Sequence, residues 1–193
     1  MSCAVVWSSK TGNTELLARS IVEFVGNDCV YAGGPSSDAL GADRVYVGFW
    51  TDKGSCDESI AAFLTALDSQ EVFLFGTAGF GGSGAYFEQI LTKVRALIPD
   101  TATVVGTFMC QGKMGAGVRR RYEAMREQGV PAEKVDALLA NFDTALTHPD
   151  DGDILALRDV LESTKWLRYP LPYEKWPPPE GDGHYHAESM RAA

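Results

Sequence analysis

The chain predicts a three-layer α/β fold in which a five-stranded, doubly wound parallel sheet is covered by helices on both faces. Three observations predict it. Five short apolar runs are bounded by turn residues, stretches of helical period separate them, and the runs are apolar throughout rather than alternating. Strands of that kind need cover on both faces, which right-handed β-α-β crossovers supply. With 193 residues, 45% of them hydrophobic, the chain suits one domain around one substantial core.

Taken in order, Ala4 to Trp7 reads as the first strand and Glu15 to Val22 as the helix after it. Cys29 to Ala32 is a weaker second strand, and Val45 to Phe49 a buried third. Ile60 to Leu67 has helical spacing, Val72 to Phe75 is the fourth strand, Tyr86 to Leu97 is helical again, and Thr103 to Phe108 is the fifth strand. The pattern then stays helical: Gly117 to Glu127, Ala132 to Leu146 behind Pro131, and Asp150 to Thr164 behind Pro149. These form a C-terminal helical extension starting at about residue 115, so the expected domain is 1–165. Residues 166–193 hold a proline cluster between Pro170 and Pro179 and a Gly/His/polar end, and are expected to be an extended or disordered tail.

Composition removes several classes of function. The apolar runs are far shorter than the roughly 18 residues a membrane span needs. The start, Met1 to Trp7, has no basic region and runs straight into the first strand, so a cytoplasmic protein is expected. Seventeen Lys and Arg against 26 Asp and Glu give −9, which disfavours nucleic acid and favours a basic partner. Cys3, Cys29, Cys56 and Cys110 lack metal-ligand or disulfide-framework spacing. His184 and His186 stand in the tail without further ligands, so no metal is expected.

The first strand ends in Ser8-Ser9-Lys10-Thr11-Gly12-Asn13-Thr14 and flows into a helix. Backbone N–H groups at a helix start have no intrahelical partner and carry partial positive charge, and a glycine lets the backbone curl around an anion. A phosphate fits such a loop. An ordinary helix cap also uses these residue types, but needs only one of them.

Ser9-Lys10-Thr11-Gly12-Asn13-Thr14 after an apolar strand resembles the signature of the flavodoxin family, and the resemblance extends over roughly residues 2–108. It implies strand order 2-1-3-4-5 and an FMN cofactor whose phosphate sits in this loop, held by Ser9, Thr11, Thr14 and backbone amides. In such a sheet the ligand crevice lies beyond the carboxyl ends of the strands, where the order switches between the first and third. Two further segments then face it. Trp50-Thr51-Asp52-Lys53-Gly54 follows the third strand, and Thr77-Ala78-Gly79-Phe80-Gly81-Gly82 follows the fourth. Trp50 and Phe80 can sandwich a flat ring, although Trp50 also suits a core and Tyr86 competes with Phe80 for the second face. By the same resemblance, Gly54 marks the peptide that responds to the redox state of the ring. Lys53 near the ring would raise its potential; paired with Asp52 or Asp57 it would be a solvated charge. Cys56, at a helix start, is either a thiol with lowered pKa or a small, partly buried residue.

After the fifth strand, Met109 to Met114 opens on the same edge, and Arg119-Arg120-Arg121 forms a basic island, either a docking patch or a solvated helix face. The three loop sequences together also resemble a subfamily of bacterial flavodoxin-like proteins associated with bilirubin reductase. The expected function is therefore electron transfer by an FMN protein to a partner reductase, with a bilirubin-reductase-type enzyme as the candidate acceptor. The alternative is an FMN-dependent NAD(P)H oxidoreductase of quinone or azo substrates. Neither reading fixes the oligomeric state.

Overall fold

The computed structural model describes residues 1–81 and 83–164. The expectations for Gly82 and for the tail, including His184 and His186, fall outside these residues. The chain runs β1 (Cys3–Trp7), α1 (Asn13–Val25), β2 (Cys29–Gly33), β3 (Arg44–Trp50), α2 (Glu58–Thr65), β4 (Glu71–Ala78), α3 (Gly84–Arg95), β5 (Thr103–Gln111), α4 (Ala116–Glu127), α5 (Ala132–Ala145) and α6 (Asp151–Ser163). All five strands pair in parallel, in the order β2-β1-β3-β4-β5. Between β2 and β3 there is only a 3-10 turn, Ser37–Gly41.

Alternation along each buried strand sorts the side chains between two cores. Val45, Val47, Phe49, Val72 and Leu74 meet Ile60, Leu64, Ile90 and Val94 of α2 and α3 on one face. Tyr46, Phe73 and Phe75 meet Leu17, Ile21, Leu157 and Leu161 of α1 and α6 on the other. β2 is an edge strand, alternately half-buried and exposed, which is why its apolar run is the weakest.

Glycines let the sheet accept its largest side chains. Gly48 pairs with Phe75 and Gly76 with Phe49 across β3 and β4. On opposite faces, each phenyl ring lies across the neighbouring glycine, and a Cβ at Gly76 would stand 2.7 Å from the Phe49 ring. Gly76→Ala therefore forces a fully buried ring to move in a close-packed core, at a cost of about 2 kcal/mol. A urea melt should show a lowered midpoint with an unchanged slope.

Of the three helices after β5, α6 returns to the sheet and packs on β5 and α1, whereas α4 packs chiefly on α5. A capping box starts α6: Asp150 accepts from the Asp153 N–H at 3.0 Å, and Asp153 accepts from the Asp150 N–H at 2.9 Å. The bond from the Asp153 N–H holds the Asp150 carboxyl below its ordinary pKa. The α4–α5 pair is thus an insertion between the last strand and the last helix of the sandwich. Among the described residues, no helix is long and apolar enough to cross a membrane.

Candidate functional site

The carboxyl ends of β1, β3, β4 and β5 open into a cavity of about 620 Å³. Lys10, Thr11, Asn13, Trp50, Thr51, Lys53, Gly54, Thr77, Ala78, Gly79 and Phe80 line it, so three loops separated in sequence meet at one place. Ser9, Gly12, Thr14 and Asp52 belong to the same loops without lining the cavity, and Gly81 faces a second cavity behind β5.

The loop after β1 is not an ordinary capped helix start. Gly12 is the cap residue, with φ 84°, and no side chain caps α1. The first-turn amides of α1 are thus left for another acceptor. The Ser9 Oγ is out of contact with solvent and has no partner, as is the Asn13 Oδ1. Thr14 is fully buried, its Oγ1 3.1 Å from the Thr77 Oγ1. Asn13 Nδ2 donates to the Thr11 Oγ1 at 2.8 Å and to the Lys113 carbonyl at 2.9 Å. This Asn13 bridge ties the first loop to the segment after β5, and it passes so close to Gly112 that a Cβ there would stand 2.5 Å from Asn13 Nδ2.

The loop after β3 is a tight reversal. Asp52 and Ser55 exchange backbone bonds of 2.8 and 2.9 Å, and the residues between them, Lys53 and Gly54, have φ 48° and 79°. Positive φ at both central positions is the type I′ arrangement, which glycine accepts without cost. Thr51 donates to the Thr77 carbonyl through both its N–H and its Oγ1, each at 2.9 Å. Trp50 is a half-buried cavity wall rather than a core residue, and the Lys10 Nζ lies 4.6 Å from its ring centroid. Lys53 is exposed and forms no ion pair with Asp52 or Asp57; Asp57 instead caps α2. Of the two readings of Cys56, the structure shows the buried residue: burial pushes its thiol above its ordinary pKa, outweighing the lowering a helix start alone would give.

In the loop after β4, Phe80 is 40% exposed and meets Tyr86 edge to face at 6.4 Å. Both line the cavity, so both of the rings weighed for the second face are present. The Gly79 carbonyl accepts from Gln111 Nε2 and from Asn141 Nδ2, each at 3.1 Å, which braces the loop on β5 and α5.

Sequence reasoning missed the far wall. Val118, Arg121 and Tyr122 of α4 close the cavity, at spacings of three and four residues on one helix face. That spacing was visible beside the basic island, and the structure divides the island. Arg119 pairs with Glu123 and Asp143, while Arg121 turns to the cavity. The second cavity, about 500 Å³, holds Cys110, His148 and Asp153. Burial raises the Cys110 thiol far above its ordinary pKa, and His148 Nδ1 is 2.6 Å from Asp153 Oδ2.

The Flavodoxin domain family matches residues 4–162. The chain is 38% identical over 182 residues to the flavodoxin-like domain-containing protein BilS of Clostridium symbiosum, covering 85% of this chain and 96% of that one. It is 32% identical over 162 residues to BilS of Clostridioides difficile, covering 80% and 90%. Among solved structures, oxidised Flavodoxin 2 from Bacillus cereus is similar with a TM-score of 0.48 and 14% identity, over 85% of this chain and 97% of that one. The chain belongs to the flavodoxin family, and its cofactor is FMN. The residues present fit that group: an uncapped helix start and an orphaned Ser9 Oγ suit a phosphate, and the apolar, aromatic walls of the cavity suit a flat ring.

Proposed function

We propose that this protein is an electron carrier whose FMN is held by the three loops around the cavity and whose electrons pass to a partner reductase. The observation that carries the reading is the meeting, at the β1/β3 switch point, of an uncapped, hydroxyl-rich helix start with two loops that present aromatic side chains. In this reading Ser9, Thr11, Thr14 and the amides from Lys10 to Asn13 hold the phosphate. Trp50 and Phe80 flank the ring, while the backbone of Thr51 to Gly54 and of Thr77 to Phe80 meets its polar edge, with Gly81 following on toward the second cavity. Gly82 belongs to the same set by sequence. When bound, FMN supplies reversible one- and two-electron redox chemistry.

The protein's own part is positional. Thr77 fixes two loops at once, since its hydroxyl meets Thr14 and its carbonyl accepts from Thr51. Asn13 fixes a third connection, to Lys113. Lys53, unpaired with its acidic neighbours, is placed to favour negative charge on a reduced ring. The resemblance of the three loops to flavodoxin-like proteins associated with bilirubin reductase makes an enzyme of that type one acceptor to try, and a reducing cytoplasm suits four cysteines without a disulfide framework.

The α4 wall favours a second reading, an FMN-dependent NAD(P)H oxidoreductase, because it adds a further wall to the cavity that the three loops form. Mixing the FMN-loaded protein anaerobically with NADH or NADPH separates the two. A carrier keeps its oxidised flavin spectrum over minutes and loses it only when a reductase is added. Prompt bleaching by the nicotinamide alone contradicts the carrier reading.

A further inference from the structure

We propose that the mouth of this cavity is a docking site for an acidic redox partner, although the chain as a whole is strongly acidic. The proposal rests on the reading that the cavity holds FMN and passes electrons, and it names the partner's chemistry.

The charged side chains that line the cavity are Lys10, Lys53, Lys113 and Arg121; no Asp or Glu lines it among the described residues. They come from four separate places: the loop after β1, the reversal after β3, the segment after β5, and α4. All four are exposed. None forms an ion pair with a described carboxylate, whereas Arg19, Arg95, Arg119, Arg126 and Arg158 all do. Lys10 lies over Trp50 and Arg121 over Tyr122 instead. In a chain with 26 acidic and 17 basic residues, a rim of unpaired cations without an acid runs against composition. Phosphate binding accounts for part of it, since Lys10 belongs to the phosphate loop. Lys53, Lys113 and Arg121 belong to other elements.

Their exposure decides between a small anion and a protein. A site for a small anionic molecule draws its charges inward and buries them, whereas solvated charges around an opening steer a large partner and set its orientation. Phe80, 40% exposed, gives the same surface an apolar contact inside the charged rim. The acidic residues elsewhere then repel an acidic partner from every other face, so that it arrives over the flavin.

Cytochrome c tests this in two forms with the same haem, the native basic protein and its succinylated, acidic derivative. Each is mixed in a stopped-flow instrument with the reduced, FMN-loaded protein over a range of salt. One electron leaves the reduced flavin and converts the haem from Fe(III) to Fe(II). At low salt the acidic cytochrome should react about tenfold faster than the basic one, and its rate should fall as salt rises. The double variant Lys113→Glu, Arg121→Glu, compared at saturating FMN, should reverse that order. Faster reaction of the basic cytochrome, or rates indifferent to salt, overturns the proposal. If ferricyanide shows the attraction and the acidic cytochrome does not, the rim serves a small anion and protein docking is wrong. Failure to retain FMN, or to reduce any of the three acceptors, sinks the carrier reading itself.

Discussion

The double variant Ser9→Ala, Thr14→Val weakens FMN binding about a hundredfold and leaves riboflavin binding nearly unchanged. Only FMN carries the phosphate, so the difference isolates the loop after β1. Ser9 Oγ holds nothing in the chain itself, being buried without a partner, and its removal costs the fold nothing. Thr14 is fully buried and valine has its shape, so the second change removes a hydroxyl without opening a cavity. The Thr77 Oγ1, 3.1 Å away, can donate to Thr14 and leave the Thr14 proton for the ligand. A hydrogen bond to a charged group contributes about 1.5 kcal/mol, and two such bonds amount to about a hundredfold in affinity. Quenching of flavin fluorescence on titration of the apoprotein measures both ligands. Equal losses for FMN and riboflavin would move the phosphate to another site.

Trp50→Ala has the complementary signature, weakening FMN and riboflavin alike by about thirtyfold. The half-buried indole lines the cavity, and Lys10 covers part of its surface. A stacked aromatic ring adds about 1 kcal/mol beyond the area it buries, and that area contributes about as much again, so the sum is about 2 kcal/mol. Because Trp50 stands at the end of β3 and outside both hydrophobic cores, the melting temperature should hardly move. A large loss of stability with unchanged flavin affinity would make it the core tryptophan that its place after an apolar strand also allows.

Ser9, Thr14 and Trp50 illustrate how far the sequence could be read. The strand order and both layers follow from apolar runs and their separations, because each buried strand declares itself by being apolar on both faces. The phosphate loop was legible for the same reason that it works: hydroxyls and a glycine crowd a helix start beyond what a cap needs. Contacts that cross between loops were not legible. Nothing in local pattern pairs Thr14 with Thr77, or brings Asn13 to the carbonyl of Lys113, one hundred positions away. The α4 wall escaped because the run Arg119-Arg120-Arg121 reads as one basic patch, whereas a helix turns Arg119 toward Asp143 and Arg121 toward the cavity. For Cys56 the local pattern left two readings open, because the helix dipole is visible in sequence and the burial that outweighs it is not.

The central claim, an FMN protein that moves electrons singly, is tested most directly by a potentiometric titration of the FMN-loaded protein followed by visible absorbance. The account predicts two resolved steps, each with a slope of about 59 mV per tenfold change in ratio, as for one electron. A single step with a slope of about 30 mV, the two-electron value, would contradict it.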